Sequence, residues 1–183
     1  MDSNENNYLV ERIVKLLNAA FHGGAWHGPS ALEVIKPIKP KQAEFKLGNV
    51  HTIAELMYHM TSWRIFAIQK INGNEEYEIV EEKNFGKFEK IDEFELETLL
   101  MELSLSHDEL LGVLADKTDD FLMENVPGTE YDYYTLLHGI IHHDLYHTGQ
   151  ISVFKKLIDR KLEKLDEVGS SSRFFEEDYG DTF

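Results

Sequence analysis

Between residues 142 and 150 the chain reads HHDLYHTGQ. His143 and His147 are four positions apart, and on a helix that spacing sets two imidazoles on one face, one turn apart. Rings so placed reach one metal ion, and the helix fixes both at low entropic cost. Tyr146 and Gln150 lie within reach of the pair, and Asp144 joins them only if the helix turns it inward. A third ligand must come from elsewhere, and His59 is the best candidate. Leu56, Met60 and Trp63 stand within one turn of it, a core-facing setting where an imidazole needs partners for its nitrogens. Three neutral imidazoles from two helices would hold Zn²⁺, Ni²⁺ or Fe²⁺ and leave positions open for water or substrate. The plainer alternatives stay open at this point: an exposed histidine pair, and a core histidine hydrogen-bonded to a neighbouring helix.

The other histidines fit such a site less well. His142 lies about 100° around the helix from His143, so the two cannot address one ion. His138 and His142 form a rival pair on the adjacent face. His51 precedes a helix and His107 sits in a serine-flanked stretch, so both read as surface residues. His22 ends a helix, and His27 belongs to the loop sequence AWHGPS.

Composition narrows the chemistry further. The chain has no cysteine, which excludes disulfides, thiolate ligands and cysteine nucleophiles and leaves His, Asp, Glu and water as ligands. A formal net charge of −16 opposes binding to phosphate backbones and anionic lipid surfaces, so neither nucleic acid nor membrane is expected as a partner. The first residues lack the features of a signal peptide, and no apolar run is long enough to span a bilayer, so the expectation is a cytoplasmic protein.

Helices must position these residues. Leu9, Ile13, Leu16, Leu17, Ala20 and Phe21 make an apolar stripe over 8–21, stopped by Gly23 and Gly24. A turn-rich loop follows to Val50, with a short helical turn expected over 31–35. Thr52 and Glu55 have capping-box spacing for a second helix ending near Asn72. The acidic stretch after it reads as a solvated crossover. Asp92 and Glu95 cap a third helix over 93–115, with Phe94, Leu99, Leu103, Leu110, Leu111 and Leu114 as its stripe. Thr129 with Asp132 can cap a fourth helix over 130–165, bent or broken within. The expectation is an all-α four-helix bundle over 1–165 in one domain, with two long connections and an acidic tail over 166–183. In that tail Phe174, Phe175 and Phe183 leave room for docking.

Three of these pieces occur together in a known order. AWHGPS after the first helix, ELMYHMTSW in the second and HDLYHTGQI in the last resemble the DinB-like superfamily of metalloenzymes, over about residues 8–165. The resemblance implies a four-helix bundle of up-down-down-up connectivity. It also implies an ion held by one histidine of the second helix and the pair in the last, which fall here on His59, His143 and His147. The metal in that family varies among nickel, zinc and iron, and homodimers are frequent. Several of its enzymes handle low-molecular-weight thiols as S-transferases, a thiol-dependent isomerase and a domain of sulfur-inserting oxygenases.

A tris-histidine ion with open positions would activate a small-molecule thiol for attack on an electrophile, or activate water. On that reading Trp26, His27 and Trp63 are candidates to line a substrate cleft, and Gln150 to orient a ligand histidine or a bound water. An anionic thiol would need a local basic patch, for which Arg64, Lys155 and Lys156 are nearest in sequence. A metal-dependent hydrolase is the main alternative, with Asp144 in the place of the H-E-x-x-H general base. A hydrolase requires Asp144 within one water of the ion. A non-catalytic metal-binding or stress-associated interaction module is a third class, and it would have an occluded site or histidines that take up no ion after saturation with metals.

Overall fold

The computed structural model describes residues 7–173. Helices α1 (Tyr8–Phe21), α4 (Ile53–Ile71), α5 (Glu93–Leu114) and α7 (Tyr133–Arg173) are the long elements. Three short ones, α2 (Ala31–Ile35), α3 (Pro40–Glu44) and α6 (Asp119–Leu122), fill the connections. No strand occurs among the described residues beyond one isolated bridge between Asn125 and Asp132. The architecture is all-α.

The helix starts follow the capping chemistry legible in the sequence. Thr52 Oγ1 accepts from the Glu55 amide at 3.1 Å while Glu55 Oε2 accepts from the Thr52 amide at 2.8 Å. Asp92 and Glu95 repeat the arrangement at α5, as do Ser30 and Glu33 at α2. Two amides of the first turn of α1, Leu9 and Val10, donate instead to Asp119 Oδ1. That remote carboxylate both satisfies the helix end and ties α1 to α6.

Pairings along the helices give their order. Leu17, Ile68, Leu110 and Leu137 share one half of the core, and Met57, Met60, Leu99, Leu103 and Ile151 share the other. The first half of α4 therefore lies beside the first half of α5, and these neighbours run in the same direction. Such a pair requires the chain to travel back along the bundle, which residues 72–92 do. Tyr133 donates to the Lys70 carbonyl while Asp144 meets Arg64, so α4 and α7 are antiparallel. α4 thus lies between α5 and α7, and it is buried on most of its circumference.

Several expectations need correction. In α1, Leu9 and Leu16 are exposed and Val10 takes the inward place. In α5, Phe94 is 75% exposed and Leu96 is buried instead. In both helices the apolar residues cover a wider arc than the buried face, so the packing partner selects which of them turn inward. Asp132 alone caps α7, accepting from the Thr135 amide at 2.8 Å, whereas Thr129 Oγ1 donates to the Val126 carbonyl and closes the preceding turn. α7 runs without a break to Arg173, past Leu165. Phe174, Phe175 and Phe183 lie outside the described residues.

Candidate metal centre

His59 faces inward from the second turn of α4, and His143 and His147 face it from α7. His143 Nε2 is 3.0 Å from His59 Nε2 and 3.1 Å from His147 Nε2. The three rings offer one ligand atom each, all within 4.8 Å of one another. His142, one residue earlier, is exposed, and His138 turns its Nδ1 to the Tyr134 carbonyl on its own helix. The rival pair therefore takes no part.

Outer contacts fix the tautomers of two rings. His59 Nδ1 donates to the Asn84 carbonyl at 3.0 Å, and His147 Nδ1 donates to Gln150 Oε1 at 2.7 Å. Each of these rings then carries a lone pair on Nε2. Both lone pairs point at His143 Nε2. One N–H on His143 can answer only one of them well, whereas a cation accepts all three lone pairs. Burial pushes all three imidazoles below the ordinary histidine range, against the contacts from Asn84 and Gln150, and His143 falls to about 3. The rings are neutral at neutral pH, as metal ligation requires. This donor set fits one divalent transition metal ion.

The crossover between α4 and α5 holds His59 from outside. Phe85 stacks on the His59 ring with centroids 4.0 Å apart and planes 4° apart, and His51 stacks on the other face of Phe85 at 3.6 Å. His51 in turn bonds Glu55, the capping residue of α4. Gly86 follows at φ 64°, a conformation that lets the chain turn directly after Phe85. A Cβ there would press on the rings of Tyr58 and Phe88 at 3.1 Å.

The family model of the DinB superfamily matches residues 26–151. The chain belongs to the DinB superfamily. All three histidines of this DinB chain lie within the matched segment. No curated protein and no solved structure matches the chain.

The remaining candidates fare unequally. Trp63 and the three histidines line a cavity of about 580 Å³ that opens from the ligand atoms along α7, with Tyr131, Leu136, Gly139, Ile140 and Tyr146. Gln150 holds His147 in place. Trp26 does not reach the site: it is 101% exposed. His27 lines a separate hollow with Pro29, Leu145 and Thr148. Both belong to the exposed stretch before Ser30, the cap of α2, and neither lines the cavity beside the three histidines.

Asp144 is buried at 2% exposure and pairs with Arg64 Nη2 at 2.6 Å, on the face of α7 turned away from the cavity. Burial pushes its carboxyl up, while the Arg64 guanidinium pulls the other way. His107 is also buried, contrary to the surface reading. It stacks on Phe21 at 4.2 Å, and neither of its nitrogens has a partner among the described residues. Asn84 and Phe85 escaped the sequence reading because they sit in an acidic loop. Two phenylalanines, Phe85 and Phe88, in so polar a stretch were the available signal, since aromatic rings there need a surface to cover.

Proposed function

We propose that this protein is a divalent-metal-dependent enzyme in which His59, His143 and His147 hold one nickel, zinc or iron ion, and that it transfers a low-molecular-weight thiol to an electrophile. The observation that carries the metal reading is the convergence of three Nε2 atoms, two of them committed as lone-pair donors by Asn84 and Gln150. Bound there, the ion supplies Lewis acidity, which lowers the pKa of a thiol or a water. The chain's own residues do the rest. Asn84, Phe85 and Gln150 hold the rings in place, and Trp63 and Tyr146 border the space where a substrate would sit.

Thiol transfer suits a chain without cysteine, because the nucleophile arrives with the substrate. The hydrolase alternative loses support, because Asp144 is committed to Arg64 and no Asp or Glu lines the cavity. The open cavity also favours catalysis over an interaction module with an occluded site.

Elemental analysis of the purified chain, loaded separately with Zn²⁺, Ni²⁺ and Fe²⁺, tests the metal reading. The expected result is about one ion per chain, lost in His59→Ala. A wild-type chain that takes up no stoichiometric ion would overturn it. A screen of thiols against electrophiles, with the ionised thiol followed by its ultraviolet absorbance, then tests the transfer. Turnover of water-labile esters without any thiol would return the hydrolase to first place.

A further inference from the structure

We infer that the cavity beside the three histidines takes an uncharged, largely apolar substrate, and that Gly139 sets its depth. The inference rests on the metal-centre reading above and narrows the substrate class of that same site.

The lining carries the first half of the argument. Beyond the histidines the walls are Trp63, Tyr131, Leu136, Gly139, Ile140 and Tyr146, with Thr135 the one small hydroxyl. No Lys, Arg, Asp or Glu contributes to it. Of the basic residues nearest in sequence, Arg64 is fully buried against Asp144 and Lys155 lies 3.9 Å from Asp159, and neither these nor Lys156 lines the cavity. A sulfonate, carboxylate or phosphate placed against these walls, away from the ion, would lose its hydration and gain no Lys or Arg in return. The surrounding charge of −16 opposes the same groups at longer range. An aryl or alkyl group loses nothing on entering and covers apolar wall.

Gly139 carries the second half. It lies inside α7, where glycine disfavours the helix relative to alanine. Its φ is not positive, so the backbone does not demand glycine. A Cβ built there meets nothing within 4 Å, so no neighbour demands it either. What its missing side chain leaves is space in the cavity wall, between Leu136 and Ile140 on one side and His143 one turn further along the helix. Any larger residue at 139 would project into that space.

The test uses the full chain carrying Trp26→Phe, so that fluorescence reports Trp63 alone, both with Co²⁺ loaded and metal-free. Benzyl mercaptan and 2-mercaptoethanesulfonate serve as uncharged and anionic thiol probes. They are titrated into wild-type, Gly139→Ala and Gly139→Leu backgrounds, reading Trp63 emission and the Co²⁺ visible spectrum. The expected result is at least about tenfold tighter binding of benzyl mercaptan than of the sulfonate. Gly139→Leu should abolish that binding while keeping one ion per chain and an unchanged or raised Tm, and Gly139→Ala should weaken it. Equal or tighter binding of the sulfonate would overturn the inference, as would undiminished benzyl mercaptan binding in Gly139→Leu. Should that variant fail to fold, Gly139→Ala and the wild-type comparison of probes still decide. The two readings fail separately. Quenching of Trp63 by benzyl mercaptan without ion uptake would sink the metal centre and leave the apolar cavity. Ion uptake without a preference for the uncharged thiol would do the reverse.

Discussion

His143 and Asp144 are neighbours on α7, yet they belong to two polar clusters of opposite construction. The histidine cluster is braced from outside, by Asn84, Phe85 and Gln150, and its ligand atoms face one another across a shared point at the edge of a cavity. The Asp144 cluster is packed within the core and opens on no cavity, although Asp144 Oδ1, Arg64 Nε and both His107 nitrogens lack a partner among the described residues. Its carboxylate meets Arg64, whose guanidinium also lies over the Phe21 ring at 4.5 Å, and His107 stacks on the same ring. One helix thus carries histidines that could share an ion at the edge of a cavity and, about 100° around it, a carboxylate paired within the core. Two titratable side chains at adjacent positions differ in purpose because of what packs opposite each. The contrast also removes the hydrolase base: an aspartate locked in an ion pair cannot take a proton from water at the other face.

Breaking the closed cluster should have the largest effect on folding. Asp144→Ala leaves the Arg64 guanidinium buried and unpaired, and stability should fall by about 3–5 kcal/mol. Denaturant titration measures this directly, and a change within experimental error would mean that Arg64 escapes to solvent. The double replacement Arg64→Met with Asp144→Leu should recover most of the loss. That recovery would show the pair to be a local solution to burial with no further task.

Acid should also act on the closed side. Burial, Arg64 and His22 push His107 down to about 3, against about 6.5 in an unfolded chain. Below pH 6.5 the unfolded chain therefore takes up a proton that the folded chain refuses. The contribution of His107 is complete above that pH and is lost at about 1.4 kcal/mol per pH unit down to about 3. His107→Phe, which keeps the stacking on Phe21, should flatten that slope. Stability measured at pH 7 and pH 5 in both proteins checks it, and equal slopes would count against the assignment.

The open cluster responds in affinity more than in stability. Gln150→Leu removes the acceptor that orients His147, and metal affinity should fall about 10–100-fold with the fold intact. Competition with a chromophoric chelator gives the number, and unchanged affinity would mean that the helix alone orients the ring. The smallest effect is expected at Thr52→Ala, which removes a cap of α4 and should cost about 1 kcal/mol of stability. Because the turn that carries His59 remains in place, metal stoichiometry should not change.

Much of this organisation was legible in the sequence. The bounds of α1 and α4, the capping boxes at Thr52 and Asp92, and the shared face of His143 and His147 follow from residue type and spacing, because a helix fixes which side chains share a face whatever surrounds it. That His59 joins the pair was implied by the family resemblance. Spacing could not say which arc of a wide apolar face turns inward, so Phe94 was misplaced and His107 read as surface. Nor could it place Trp26 and His27, whose loop has no period to reveal where it runs. Asp144 was undecided for the same reason: its angular position on α7 follows from the sequence, but its partner, Arg64, is 80 residues away. The clamp made by Asn84 and Phe85, the empty space at Gly139 and the closing of Asp144 on Arg64 arise only when separate segments pack. They are contacts between elements, and local chain chemistry determines elements without determining what comes to lie against them.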